Sequence, residues 1–122
     1  MATILFVEDQ KQMAEMFKSV LTAKGYDVIV IHHGSQALEL IEENADDIDI
    51  LVTDIVLPGV SGISLAHKLR SRRPESCILL ITGYSELQAE DIGFPVLGKP
   101  FTPNQLLEKI EMIQDNPFTG NR

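Results

Sequence analysis

The stretch ILVTD at residues 50–54 and the stretch ILFVED at residues 4–9 are apolar runs that both end in acidic residues. Runs of this length and composition are typical of buried strands. Asp54 ends one predicted strand, and Glu8 and Asp9 follow the other. An acidic residue after a strand commonly caps the next helix. Carboxylates that converge, however, repel one another unless they share a cation, so three of them at one place would indicate a function.

Short apolar runs alternate along the chain with stretches whose apolar residues recur every three or four positions, which indicates strands alternating with helices. Strands are predicted near 4–7, 27–32, 50–53, 77–82 and 95–98. The first helix is expected to end at Lys24-Gly25 with a glycine cap, and the last to begin at Thr102-Pro103. The second runs from Ser35 to about Asn44, and the third stops before Pro74.

Five apolar strands separated by helices predict an α/β fold with a doubly wound parallel sheet covered on both faces. Ligands of such sheets bind at the carboxyl ends of the strands, where the strand order reverses. In the flavodoxin-like order 2-1-3-4-5, which is taken from known folds and not from periodicity, that point lies between the first and third strands. Glu8-Asp9 and Asp54 end these two strands.

Composition narrows the functional classes. The chain has 122 residues, 44% of them hydrophobic, and a net charge of −8, which predicts one domain and disfavours nucleic acid as a direct partner. Cys77 is the only cysteine, so no disulfide framework or cysteine metal site is expected. The sequence contains no run that could span a membrane and no secretion signal at its start, so we expect a cytoplasmic protein without a membrane partner.

Two further strand ends carry residues suited to phosphate chemistry. Thr82 lies at the end of the fourth predicted strand, and Lys99 follows the fifth. Oxygen ligands alone favour a hard cation such as Mg²⁺, which readily takes a phosphate oxygen into its shell. A carboxylate nucleophile, a metal, a hydroxyl donor and a lysine are the parts needed to form an aspartyl phosphate.

With these motifs in order, the chain resembles the receiver domain of two-component response regulators, the CheY-like superfamily, over almost its whole length. The matching pieces are residues 7–9, 54–62, 81–83 and 99–102. The resemblance implies that Asp54 is the phosphoacceptor and that Thr82 and Lys99 contact the phosphoryl group. It implies a Mg²⁺ site made of Glu8, Asp9, Asp54 and the backbone carbonyl of Val56. It also implies a cis Lys99-Pro100 bond.

Two features depart from the family pattern. Val96 occupies the position three residues before the lysine, where the family commonly has an aromatic residue that moves inward on activation; Tyr84 and Phe94 are candidate substitutes, although packing is the commoner role. Only twelve residues, 83–94, connect the fourth and fifth strands. That length is close to the minimum for a parallel crossover, so the fourth helix is predicted to be short, irregular or missing.

Three other classes of protein are alternatives to this interpretation. A haloacid-dehalogenase-type phosphatase would need a second acid at the position of Val56, and a flavodoxin would need a phosphate loop where Glu8 and Asp9 stand. A receiver-shaped interaction module that is never phosphorylated remains the alternative, because fold alone does not establish function.

The resulting prediction is a receiver domain over residues 1–116, followed by a tail at 117–122. It takes a phosphoryl group from a histidine kinase or a histidine phosphotransfer protein and acts on a downstream protein target. It is not expected to be an enzyme, because it turns over no separate substrate. A stand-alone regulator, a phosphorelay intermediate and a receiver of a hybrid kinase all stay open; the start at Met1 favours the first.

Overall fold

The computed structural model describes residues 2–83 and 92–115. Its strands are β1 (Thr3–Val7), β2 (Asp27–Ile31), β3 (Ile50–Asp54), β4 (Cys77–Thr82) and β5 (Val96–Gly98). Its helices are α1 (Lys11–Ala23), α2 (Gly34–Asn44), α3 (Gly62–Arg72) and a C-terminal helix (Pro103–Asp115), with a short 3-10 turn at Ala45–Asp47. The predicted strands therefore agree with the observed ones to within about one residue.

The five strands form one sheet in the order β2-β1-β3-β4-β5, and every pairing is parallel. This confirms the predicted flavodoxin-like topology. In β1, Ile4 and Phe6 pack into one core, while Leu5 and Val7 pack into a second core on the other face. Side chains alternate in this way because successive residues of a strand point to opposite faces. Buried residues of α1 and the C-terminal helix complete the first core, and those of α2 and α3 complete the second.

The helix ends follow from local chemistry. Gly25 has φ +101° and its N–H donates to the carbonyl of Thr22, so the predicted glycine cap is confirmed. At the C-terminal helix, the Thr102 hydroxyl accepts from the N–H of Gln105 at 3.1 Å, and the Gln105 side chain accepts from the N–H of Thr102 at 2.8 Å. This reciprocal cap explains why the helix begins at Pro103.

The sheet is covered on both faces except at its β2 edge, where Asp27 and Ile29 are exposed. The predicted short helix between the fourth and fifth strands falls mostly on residues 84–91, outside the described residues; Ile92, which follows them, is helical. The predicted tail at 117–122 is also outside the described residues. Among the described helices, none has the length and apolar character needed to cross a membrane.

Candidate functional site

Sheet register brings the first two acidic stretches together. β1 and β3 are neighbours, and Val7 pairs with Thr53, so Glu8 and Asp54 lie side by side just beyond the ladder. Glu8 is fully buried, Asp54 is 5% exposed, and Asp9 is exposed. One carboxylate oxygen from each of these residues lies within 4.8 Å of the others. The convergence expected from the sequence is therefore present in the fold.

Lys99 reaches the acidic cluster from the end of β5. Its backbone N–H donates to the carbonyl of Thr82 at 2.7 Å, which fixes the start of the connection from β5 to the C-terminal helix. Its Nζ atom lies 3.2 Å from Oδ1 of Asp54 and 3.6 Å from Oε1 of Glu8. The Lys99-Pro100 bond is cis, as the family resemblance predicted.

Burial and charge shift the ionisation of the cluster. Burial, and then the neighbouring Asp54, raise the pKa of Glu8 to about 7. Burial also raises the pKa of Asp54, although Glu8 and Lys99 oppose that effect. Burial by itself would lower the pKa of Lys99, but Asp54 and Glu8 raise it overall. Lys99 is therefore held as a cation while the buried carboxylates resist ionisation.

The buried oxygens suit a divalent cation. Oε1 of Glu8 and Oδ1 of Asp54 are both buried and, apart from their ion pairs with Lys99, make no hydrogen bond. Buried carboxylate oxygens normally have partners, so their arrangement beside Asp9 leaves a place for a cation that prefers oxygen ligands. Three carboxylates and one ammonium group leave a formal charge of −2, which Mg²⁺ would balance. The residues present therefore fit the predicted metal.

A cleft of about 240 Å³ opens above Asp54. Its lining includes Val56, Ile81, Thr82, Gly83 and Lys99. Thr82 is 4% exposed and closes one wall, whereas the Val56 side chain is 65% exposed at the rim. The cleft is thus lined by a carboxylate, a hydroxyl-bearing residue and a lysine around one small space.

The residues considered as substitutes for the usual aromatic have different positions. Phe94 is 3% exposed and packs edge-on against His67, with ring centroids 5.1 Å apart; the guanidinium of Arg70 lies 5.6 Å from the centre of the Phe94 ring. These contacts favour the packing role for Phe94. Val96 is partly buried against the core that contains α2 and α3. Tyr84 lies outside the described residues.

The tertiary structure also shows contacts near the acidic cluster that the sequence did not predict for individual residues. A Cβ atom on Gly62 would collide with the carbonyl oxygen of Asp54, so only glycine lets α3 begin this close to Asp54. Gly62 belongs to the stretch that carries the family resemblance, which was the available signal. His32 contacts the backbone of Glu8 through its side chain. No local pattern predicted this contact, since the two residues are 24 positions apart.

Comparison with known proteins agrees with this geometry. A family model of the response regulator receiver domain matches residues 4–111, so the chain belongs to that family. Chemotaxis protein CheY1 of Helicobacter pylori is 38% identical over 118 residues, an alignment that covers 90% of this chain and 94% of CheY1.

Two further relatives are a longer protein and a response regulator whose structure contains a bound ligand. Sensor kinase CckA of Brucella abortus is 35% identical over 120 residues, covering 93% of this chain but 13% of the kinase. The chain therefore spans a small part of that relative. The structure of response regulator TrrA from Thermotoga maritima, in complex with Mg²⁺-BeF, has a TM-score of 0.80 and 28% identity and covers 93% of this chain and 99% of TrrA. These likenesses define the protein as a receiver domain of two-component systems.

Proposed function

We propose that this receiver domain accepts a phosphoryl group on Asp54 from a phosphohistidine of a histidine kinase or histidine phosphotransfer protein, in a Mg²⁺-dependent reaction. The observation that carries the proposal is the placement of Asp54 Oδ1, which is buried, makes no hydrogen bond, and lies 3.2 Å from Lys99 Nζ at the floor of an open cleft. The binding of Mg²⁺-BeF by the related TrrA supports it.

The chemistry uses groups already in place. A carboxylate oxygen of Asp54 attacks phosphorus while the bond from phosphorus to the donor histidine nitrogen breaks, and that nitrogen keeps the electron pair. Lys99 and the Thr82 hydroxyl would stabilise the negative charge on the phosphoryl oxygens, because both residues line the cleft with Asp54. Phosphoryl transfer depends mainly on such positioning and charge stabilisation. The raised pKa of Lys99 keeps it protonated for this role.

Glu8, Asp9 and Asp54 would hold the metal, with the backbone carbonyl of Val56 as a further ligand by family resemblance. Bound Mg²⁺ would neutralise charge shared between the carboxylates and the incoming phosphoryl group. Hydrolysis of the aspartyl phosphate would return the domain to its starting state. Because the domain turns over no separate product, we regard it as a switch or relay and not as an enzyme. Its phosphorylated form would bias two conformations and act on a downstream protein.

Intact-mass measurement after incubation with acetyl phosphate tests the proposal. We expect a gain of one phosphoryl group that requires Mg²⁺ and is lost in Asp54→Ala. The matched control is Asp27→Ala, because Asp27 is an exposed acid at the start of β2, away from the cleft; this variant should behave like the original chain.

The same experiment separates the two candidate functions. If no phosphoryl group is gained, the measurement is repeated with a phosphorylated histidine phosphotransfer protein as donor. Absence of transfer from both donors would contradict the proposal and favour the interaction module that is never phosphorylated. Equal gain in Asp54→Ala would place the acceptor elsewhere.

A further inference from the structure

The side chain of His32 lies against the backbone of Glu8. Nδ1 of His32 is 2.8 Å from the carbonyl oxygen of Glu8, and the contact is partly buried. A carbonyl oxygen can only accept a hydrogen bond, so Nδ1 must carry the proton. The His32 ring, which follows β2 in the chain, is thus bonded to the backbone of one residue of the acidic cluster.

This contact replaces a missing bond of the sheet. The N–H of Glu8 donates to the carbonyl of Ile31 at 3.0 Å, which extends the β1–β2 ladder by one bond. In a regular parallel ladder, the next bond would run from the backbone N–H of His33, two residues after Ile31, to the carbonyl of Glu8. The strand ends before that point, because α2 begins at Gly34. The His32 side chain supplies the donor instead.

The bond from His32 to the Glu8 carbonyl and two further hydrogen bonds together orient Glu8. The N–H of Glu8 is bound to Ile31, the Oε2 atom accepts from the N–H of Gln10 at 3.0 Å, and the carbonyl accepts from His32. Only Oε1 is buried without a hydrogen bond, and it lies 3.6 Å from Lys99 Nζ. Fixing the backbone on both sides therefore directs Oε1 into the acidic cluster.

We propose that His32 is a positioning residue, whose Nδ1–H bond to the Glu8 carbonyl holds Glu8 in the orientation that binds Mg²⁺. The inference rests on the proposed function, because it assigns to His32 a role in the affinity of that same site. Groups that bond to metal ligands from outside typically change metal affinity 10- to 100-fold when they are removed. His32 acts on the backbone of the ligand, so we place its effect at about 10-fold.

Isothermal titration of the whole chain with MgCl2 tests this role, using His32→Ala, His32→Asn and the control His33→Ala. His33 is the exposed neighbour, and its side chain makes no capping hydrogen bond. We expect His32→Ala to raise the Kd for Mg²⁺ about 10-fold. The amide nitrogen of asparagine can take the place of Nδ1, so His32→Asn should recover affinity to within about threefold. His33→Ala should bind like the original chain.

Urea unfolding of each variant without Mg²⁺ separates positioning from stability. If His32→Ala lowers stability but leaves the Kd unchanged, or if His32→Asn weakens binding as much as His32→Ala, the inference is overturned. Should His32→Ala fail to fold, His32→Asn and a spectroscopic test still decide. Nitrogen-15 NMR of the original chain without Mg²⁺ should show Nδ1 of His32 protonated when the ring is neutral, and the opposite tautomer would contradict the contact.

Failure of the proposed function gives a different result. If the original chain itself binds no Mg²⁺, both the Mg²⁺-dependent function and the role of His32 are rejected, whereas Mg²⁺ binding without any phosphorylation of Asp54 rejects the proposed function alone. Binding by the original chain together with unchanged binding by His32→Ala would reject the role of His32 alone.

Discussion

The two ends of the sheet both contain a cation that bridges two acids, but they treat those acids differently. At the carboxyl end, which we call the site edge, Lys99 faces Glu8 and Asp54. At the amino end, which we call the anchor edge, Arg73 contacts Asp49 at 2.8 Å and Glu75 at 3.3 Å. The anchor edge joins the end of α3 to the chain that enters β3.

Hydrogen bonding distinguishes the two edges. Arg73 also donates to the carbonyls of Ile48 at 2.6 Å and Asp46 at 3.0 Å, and the second oxygen of Asp49 accepts from the N–H of Thr3 at 2.7 Å. At the site edge, buried oxygens of Glu8 and Asp54 make no hydrogen bond. A cluster of charged groups whose members are all hydrogen-bonded stabilises a fold. A cluster with excess buried charge lowers stability, and such clusters are commonly kept for ligand binding. Satisfied ion pairs and buried charge without hydrogen bonds therefore lie at opposite ends of one sheet.

The largest expected change in unfolding free energy comes from a change of pH, and it arises at the site edge. Burial, and then Asp54, raise the pKa of Glu8 from 4.5 to about 7, so the folded chain binds this proton more tightly than the unfolded chain does. The contribution of Glu8 to stability is therefore complete below pH 4.5 and is lost as the pH rises to about 7. The loss should be about 3 kcal/mol of unfolding free energy without Mg²⁺.

Urea unfolding without Mg²⁺ between pH 5 and pH 8 measures this loss, with Glu8→Gln as the reference that lacks the titrating group. The stability of Glu8→Gln relative to the original chain should increase with pH across this window. A constant difference would show that Glu8 does not carry the excess charge of the site edge.

Arg73→Ala tests the anchor edge. The substitution removes bonds to two carbonyls and to Asp49, so we expect a loss of about 2 kcal/mol in unfolding free energy. The phosphorylation level at saturating acetyl phosphate should not change at a temperature where the variant is folded. Arg72→Ala is the matched control, because Arg72 is exposed and makes one 3.2 Å bond to the Glu42 carbonyl; its loss should be below about 0.5 kcal/mol. Reduced phosphorylation in folded Arg73→Ala would mean that the edges are coupled.

Asp54→Asn should have the opposite effect on stability. Removing one buried carboxylate lowers the repulsion at the site edge, so unfolding free energy without Mg²⁺ should rise by about 1 kcal/mol. Thermal unfolding beside the exposed control Asp27→Asn measures the change. Added Mg²⁺ should stabilise the original chain more than Asp54→Asn. A fall in stability would show that the pair of Asp54 with Lys99 outweighs the repulsion.

The smallest expected effect lies at the rim of the cleft. Val56 is 65% exposed beside Asp54, where it would flank the approach of water to an aspartyl phosphate. Val56→Asn should change the hydrolysis rate about threefold, which corresponds to less than 1 kcal/mol of activation free energy. The decay of phosphorylated protein, followed by intact mass, measures this rate. Met112→Gln, which alters another exposed apolar residue, in the C-terminal helix, is the control. Equal rates in the original chain and both variants would show that Val56 does not influence hydrolysis.

Local elements were predictable to different degrees. The five strands and the caps at Gly25 and Thr102 followed from apolar runs and from the preferences of particular residues at helix ends. The strand order came from known folds, because periodicity states which residues are buried and not which strands are neighbours. The helix expected between the fourth and fifth strands remains a prediction over residues 84–91.

The candidate site was likewise predictable only in part. The sequence by itself determined which residue types end each strand, and so proposed Asp54, Glu8, Asp9, Thr82 and Lys99 as one group. Their roles remain proposals, while their proximity is a finding of the structure.

Only the tertiary structure decided which oxygens lack hydrogen bonds, how close α3 approaches Asp54 at Gly62, and that His32 supports Glu8. The reason is physical. Strand and helix formation depend on nearby residues, whereas burial, ionisation and hydrogen-bond satisfaction depend on groups that the sheet brings together from distant parts of the chain.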